Sequence, residues 1–199
     1  MNLPQRYFDD LYRADTDPWQ FRSRPYETRK RALTLACLPD DRYGSTFEPG
    51  CSIGILTAAL AARCDRVCAM DISPLALATA SHAVPANVEL RRGAVPDDWP
   101  AERFDLVVLS EVGYYLDTAT CARLAALAAG GTRDLVAVHW RHPVHDYPLG
   151  GDEVHDLLAT AAGQAGMGHL VSHREDDLRL DVWSHDHRSV AARTALVDQ

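Results

Sequence analysis

The stretch Phe47-Glu48-Pro49-Gly50-Cys51-Ser52-Ile53-Gly54 constrains this chain more than any other. The residues before Gly50 read as the end of a strand. Those after Gly54 include the strong helix formers Leu56, Ala58, Ala59, Leu60, Ala61 and Ala62, so the stretch is a strand-to-helix turn. Glycine at such a turn lets a ligand approach the backbone with no Cβ in the way. The helix start adds free N–H groups facing that ligand. Asp71 closes a second apolar run, Arg66-Val67-Cys68-Ala69-Met70. There a carboxylate can accept two hydrogen bonds from a ribose diol, or simply serve as a turn residue before Ser73-Pro74. Turn and aspartate together suit a nucleoside ligand.

The glycine spacing narrows the choice. A dinucleotide fingerprint needs G-x-G-x-x-G, whose second glycine admits a pyrophosphate and whose third packs helix on strand. From Gly50 those two positions are Ser52 and Ile55. A nicotinamide oxidoreductase is therefore disfavoured.

Alternation fixes the fold class. Strands are expected at Thr46–Glu48, Arg66–Asp71, Asn87–Arg91, Phe104–Leu109 and Leu135–Val138. Helices are expected at Thr28–Leu38, from Gly54 to about Arg63, and from Ser73-Pro74 toward Val84, with Ser73 as N-cap. Two more fall at Thr118–Ala129, stopped by Gly130-Gly131, and at Val154–Ala165. Phe104 to Leu109 is near-continuously apolar, as in a strand buried on both faces. Alternating strands and helices predict an α/β, doubly wound, mostly parallel Rossmann-like sheet. Leu170–His173 and Leu178–Trp183 flank an acidic turn and predict a terminal antiparallel hairpin. Arg188 to Val197 reads as a surface helix.

The 199 residues are expected to form one domain, 1–199, with a core over 46–183 and a cap or lid over 1–30. The lid reading rests on Tyr7, Phe8, Tyr12, Trp19, Phe21 and Tyr26, a heavy aromatic load to leave exposed. The alternative is a permanently packed helix. A net charge of −8 repels polyanions, so no nucleic-acid partner is expected. No uninterrupted apolar stretch predicts a membrane span, and the polar N-terminus predicts no secretory signal. Five cysteines, mostly in apolar segments, are expected as buried thiols in the cytoplasm. Cys64-x-x-x-Cys68 lacks the second pair a zinc site needs.

Glu48-x-Gly50-x-Ser52-x-Gly54 resembles the first motif of class I S-adenosylmethionine-dependent methyltransferases, with Ser52 at the family's middle glycine. Phe104 to Leu116 resembles the fourth motif of the small-molecule enzymes. Asp17-Pro18-Trp19, Tyr26-Glu27, Ser110-Glu111-Val112-Gly113-Tyr114-Tyr115-Leu116 and His139-Trp140-Arg141 narrow the resemblance to the nodulation protein S family. That family N-methylates an amino sugar on a chitooligosaccharide. The resemblance implies S-adenosylmethionine as cofactor and S-adenosylhomocysteine as product.

The expected cofactor contacts are Trp19, Tyr26, Arg29, Glu48, Gly50, Cys51, Ser52, Gly54, Asp71, Ile72, Gly93, Ala94, Val95, Ser110 and Glu111. Tyr115, Trp140 and Arg141 are expected against a small-molecule acceptor. His139 and Glu111 are the expected proton acceptors, since an attacking amine must be neutral. His139, His142 and His145 recur at every third position, but Pro143 breaks any helix that would align them on a metal, so no metal is expected. Methylation at oxygen of another small molecule, and a non-catalytic nucleoside-binding protein on the same fold, remain alternatives.

Overall fold

The computed structural model describes residues 1–194. Its centre is a seven-stranded sheet in the order β3-β2-β1-β4-β5-β7-β6. Strands β1 (Tyr43–Pro49), β2 (Cys64–Asp71), β3 (Val88–Arg92), β4 (Phe104–Ser110) and β5 (Thr132–Trp140) run parallel. Strands β6 (Gly168–Arg174) and β7 (Leu178–Ser184) form the expected antiparallel hairpin, and β7 pairs antiparallel with β5. Among the described residues the helices are α1 (Gln5–Ala14), α2 (Pro25–Ala36), α3 (Ile55–Ala61), α4 (Pro74–Ala80), α5 (Thr118–Gly131), α6 (Gly151–Gln164) and α7 (Val190–Arg193).

Both faces of the sheet are covered, which accounts for the apolar runs. Phe47, Val107, Leu109 and Leu135 pack with Leu124 and Ala128 of α5 and Leu158 of α6. Val67, Leu106, Val108 and Val136 pack on the other side with Leu60 of α3 and Leu33 of α2. The chain leaves β1 toward β2 and β3, then returns to β4 on β1's other flank. That reversal opens a crevice at the carboxyl ends of β1 and β4, where ligands bind open α/β sheets.

Several expected boundaries move. β1 begins at Tyr43, not Thr46, because Tyr43 is buried and its N–H donates to the Arg63 carbonyl at 2.9 Å. β2 begins at Cys64, where the Asn87 amide ties the Cys64 carbonyl at 2.9 Å. α4 ends at Ala80, well before Val84. Gly130 and Gly131 lie inside the last turn of α5. Pro74 does open α4, but the Ser73 hydroxyl does not cap it and donates instead to Asp9 at 2.6 Å. Of the surface helix expected from Arg188, only Val190–Arg193 is helical, and residues 195–197 lie outside the described residues. Cys51, Cys64, Cys68 and Cys121 are buried thiols, and Cys37 is half-buried. Among the described residues no helix is long and apolar enough to cross a membrane.

Candidate active site

A cavity of about 280 Å³ sits over the carboxyl ends of β1, β2 and β4, roofed by residues of α1 and α2. Its floor is the turn after β1. Gly50 has φ +71°, and a Cβ there would meet Val112 at 3.0 Å. Ser52, at φ +52°, holds a left-handed conformation uncommon for a residue with a side chain. Two contacts hold it there. Its N–H donates to Asp71 Oδ2 at 2.8 Å, and its hydroxyl pairs with the Tyr12 hydroxyl at 2.6 Å.

Asp71 is buried, and its second oxygen accepts the Ser73 N–H at 2.9 Å. Burial pushes its carboxyl up to about 6, although the backbone N–H groups pull the other way. Each carboxylate oxygen has two lone-pair directions, so each can still accept one hydroxyl from the cavity it lines.

Glu48 lies deeper. Burial pushes its carboxyl up to about 8, and Oε2 is buried with no hydrogen-bond partner among the described residues. An orphaned acceptor on a cavity wall is costly unless a ligand satisfies it. Together with the bare backbone at Gly50 and the two lone pairs of Asp71, it fits the amine, the loop contact and the ribose of an adenosylated amino acid.

Cys51, Ile72, Gly93, Ala94, Val95, Ser110, Glu111, Tyr115 and Trp19 also line the cavity. Tyr26, Arg29, Gly54, His139, Trp140 and Arg141 do not. Gly54 instead stands just before α3 at φ +79°, where a Cβ would strike Val84 at 2.8 Å, so the glycine lets the turn pack close to Val84 and Ala80. Arg29 makes a bidentate pair with Glu175 at 2.6 and 2.7 Å, across α2 from the cavity. Arg141 is tied to Asp152 at 2.9 and 3.0 Å. Trp140 packs edge-on against Tyr26 at 5.2 Å. His139 is fully buried, with Nε2 taking the Gly113 N–H at 3.2 Å. Burial, His155 and Lys30 hold its pKa well below 6.5, and its ring does not reach the cavity. His142 and His145 lie out on the surface against Asp177 and Asp146.

Glu111 does reach the cavity. It sits at φ +59°, so the backbone turns sharply where β4 ends. Oε1 accepts from Lys30 Nζ at 2.9 Å, and Oε2 accepts from the Tyr114 hydroxyl and from the Trp140 N–H at 3.3 Å. Lys30 bridges in turn to Glu27 at 2.9 Å, giving a buried triad with one net negative charge.

Lys30, Glu27, Arg31, Tyr12 and Phe8 line the cavity without having been singled out as contacts in the sequence. Helical spacing holds the signal for Arg31. Residues two apart face opposite sides of a helix, so Arg29 and Arg31 cannot both look inward. Arg31 donates to the Phe21 carbonyl at 2.7 Å and has no carboxylate partner among the described residues. The roof is pinned at several points. Asp9 takes Ser73, Tyr12 takes Ser52, and the Leu3 N–H donates to the Tyr115 carbonyl at 2.9 Å.

The family model for nodulation protein S matches residues 7–142. Nodulation protein S of Rhizobium tropici is 31% identical over 144 residues, covering 65% of this chain and 60% of that protein. The match thus spans less than two thirds of that relative. The Bradyrhizobium diazoefficiens protein is 28% identical over 149 residues, 65% of this chain and 69% of its own length. A solved Pseudomonas syringae structure, assigned as a methyltransferase, shares 43% identity with TM-score 0.69, over 81% of this chain and all of that one. The N-methyltransferase NodS of Bradyrhizobium japonicum, solved with S-adenosyl-L-homocysteine, superposes with TM-score 0.79 at 22% identity, covering 90% of this chain and 98% of that one. At that identity the likeness speaks for the fold. Matched by the family model over more than half its length, and built on this sheet order, the chain belongs to the nodulation protein S family and has the class I S-adenosylmethionine-dependent methyltransferase fold.

Proposed function

We propose that the chain transfers a methyl group from S-adenosylmethionine to a small-molecule acceptor, at an amine nitrogen of an amino sugar or similar saccharide. The observation that carries this reading is one cavity joining the Gly50 turn, the two open lone pairs of Asp71 and the orphaned Glu48 carboxyl to the Glu111 carboxylate.

When bound, the cofactor supplies an activated methyl on a sulfonium, which already holds the driving force for transfer. The chain's task is alignment. Asp71 would hold the ribose diol and Gly93 to Val95 would border the adenine. Glu48 would take the amino acid's ammonium. Arg31, the cavity cation without a carboxylate partner among the described residues, would take its carboxylate. At the other end, three donors already occupy Glu111, which leaves about one of its four acceptor positions open. That position suits the N–H of an incoming ammonium and then its proton. The net negative Glu27–Lys30–Glu111 triad favours a cationic acceptor over a neutral hydroxyl.

Titration calorimetry with S-adenosylhomocysteine and with NAD tests the cofactor half. Saturable binding of the first and none of the second is expected. Binding of NAD alone would overturn the reading.

A further inference from the structure

His139 lies in the carboxyl half of β5, yet its ring is fully buried and stands outside the cavity lining. Its hydrogen bonds leave a single consistent assignment of protons. The Gly113 N–H can only donate, so His139 Nε2 accepts it at 3.2 Å. In a neutral ring the proton then sits on Nδ1, which donates to His155 Nε2 at 3.1 Å. His155 is therefore also protonated on Nδ1, and that N–H donates to Asp181 Oδ2 at 2.6 Å. Asp181 is fully buried and ionised, held by Arg179 at 2.8 Å and by His169 at 2.8 Å. Burial lowers the pKa of both His139 and His155, in keeping with two neutral rings.

The acceptor end of this chain is a segment that shapes the cavity. Gly113 begins the 3₁₀ turn Gly113–Tyr115. There is no slack at Gly113, where a Cβ would meet Val154 at 2.4 Å. The Tyr114 ring packs edge-on against His139 at 5.3 Å, while its hydroxyl grips Glu111. Tyr115, the next residue, lines the cavity and packs against Phe8 at 5.0 Å.

We propose that His139 is a positioning residue for methyl transfer: fixed by His155 and Asp181 in the Nδ1–H tautomer, it offers Nε2 to the Gly113 amide, and so sets Tyr115 and, through Tyr114, the Glu111 carboxylate at the acceptor end of the cavity. The positioning role rests on the methyl-transfer reading. The tautomer does not.

Long-range proton–nitrogen correlation spectra of histidine-labelled wild-type protein read the tautomer directly. From about pH 6 to about pH 8 both rings should stay neutral with Nδ1 protonated, although an unperturbed histidine titrates in that window. An Nε2–H tautomer or a charged ring at His139 would overturn the proposal, whether or not any variant folds. Kinetics test the positioning. His139→Leu removes the acceptor and should lower kcat/KM for the amine by about tenfold or more, with S-adenosylhomocysteine affinity unchanged. His139→Gln places an amide oxygen near the Nε2 position. It should recover most of that loss and keep the wild-type pH profile, since no proton is delivered to this residue. Equal rates in His139→Leu and wild type, or no recovery in His139→Gln, would contradict the role. Wild-type protein that binds cofactor but turns over no amine would defeat the methyl-transfer reading instead, and with it the positioning role, leaving the tautomer standing.

Discussion

Asp71 does two jobs with one carboxylate. It pins the N–H groups of Ser52 and Ser73 and lines the cavity. Asp71→Ala would therefore loosen the turn as well as lose the ribose, and affinity alone would not separate the two. A comparison of S-adenosylhomocysteine with its 2′-deoxy analogue does. Wild type should prefer the ribose form by about tenfold, one charge-assisted hydrogen bond of roughly 1.5 kcal/mol, and the variant should lose that preference. A preference that survives in the variant would remove Asp71 from the ribose.

Two arginines on α2 make a sharper contrast. Arg31→Met should weaken S-adenosylhomocysteine by about tenfold or more, by loss of a charge-assisted contact. Arg29→Met should leave it unchanged, because that guanidinium serves Glu175 on the far side. The reverse order, read by calorimetry, would refute the placement.

Glu48 makes a prediction about pH. Its carboxyl rises from 4.5 in a free chain to about 8 here, so between those values the folded protein binds the extra proton. Stability then falls as pH rises through that window, by an amount on the order of a few kcal/mol. Below about pH 6.5 the buried neutral histidines work the other way, so the window that isolates Glu48 runs from about pH 6.5 to about pH 8: there thermal melts of cofactor-free protein should lose Tm, and Glu48→Gln should flatten the slope. An equal slope in both proteins would show that Glu48 is not the group responsible.

At the scale of elements, the clearest device is the roof. α1 touches the turn after β1 through Tyr12–Ser52 and the end of β2 through Asp9–Ser73. Tyr12 packs edge-on against Trp19 at 5.7 Å, and Trp19 lies against Phe21 at 5.7 Å. Ligand occupancy beneath these contacts should slow their opening. Hydrogen exchange of the backbone amides in α1 should therefore slow on adding S-adenosylhomocysteine, and Tyr12→Phe should abolish much of that change. Identical exchange with and without ligand would mark α1 as a permanently packed helix.

The aromatic spacing of Tyr7, Phe8, Leu11 and Tyr12 gave away the helix, because a 3.6-residue period is visible in any sequence. Its docking was not legible. It depends on Asp9 and Tyr12 meeting hydroxyls 64 and 40 residues away. The strand limits at Tyr43 and Cys64 were missed for a similar reason, since those ends are extended by ladder partners and not by local propensity.

For the molecule as a whole, the fold was written in alternation and in the glycine turn, both local patterns. The cavity floor was legible with it, because Gly50, Asp71 and Gly93 are strand-end residues and a doubly wound sheet brings strand ends together. The acceptor end was not. Glu111 follows β4 and His139 lies near the end of β5, yet Glu111 lines the cavity and His139 is buried behind the Gly113 turn. Glu111 stands in a left-handed turn at φ +59°, which no local sequence pattern announces. The net charge of −8 agrees with a cationic acceptor, which it would draw in.

The central claim is methyl transfer to an amine. Its most direct test is incubation of the protein with S-adenosylmethionine and a panel of amino sugars, other amines and phenols, with S-adenosylhomocysteine and the methylated product measured together by mass spectrometry. The account predicts equal molar amounts of S-adenosylhomocysteine and N-methylated amino sugar, lost in a folded Glu111→Gln variant. Product only from the phenols, or tight cofactor binding with no product from any acceptor, would contradict it.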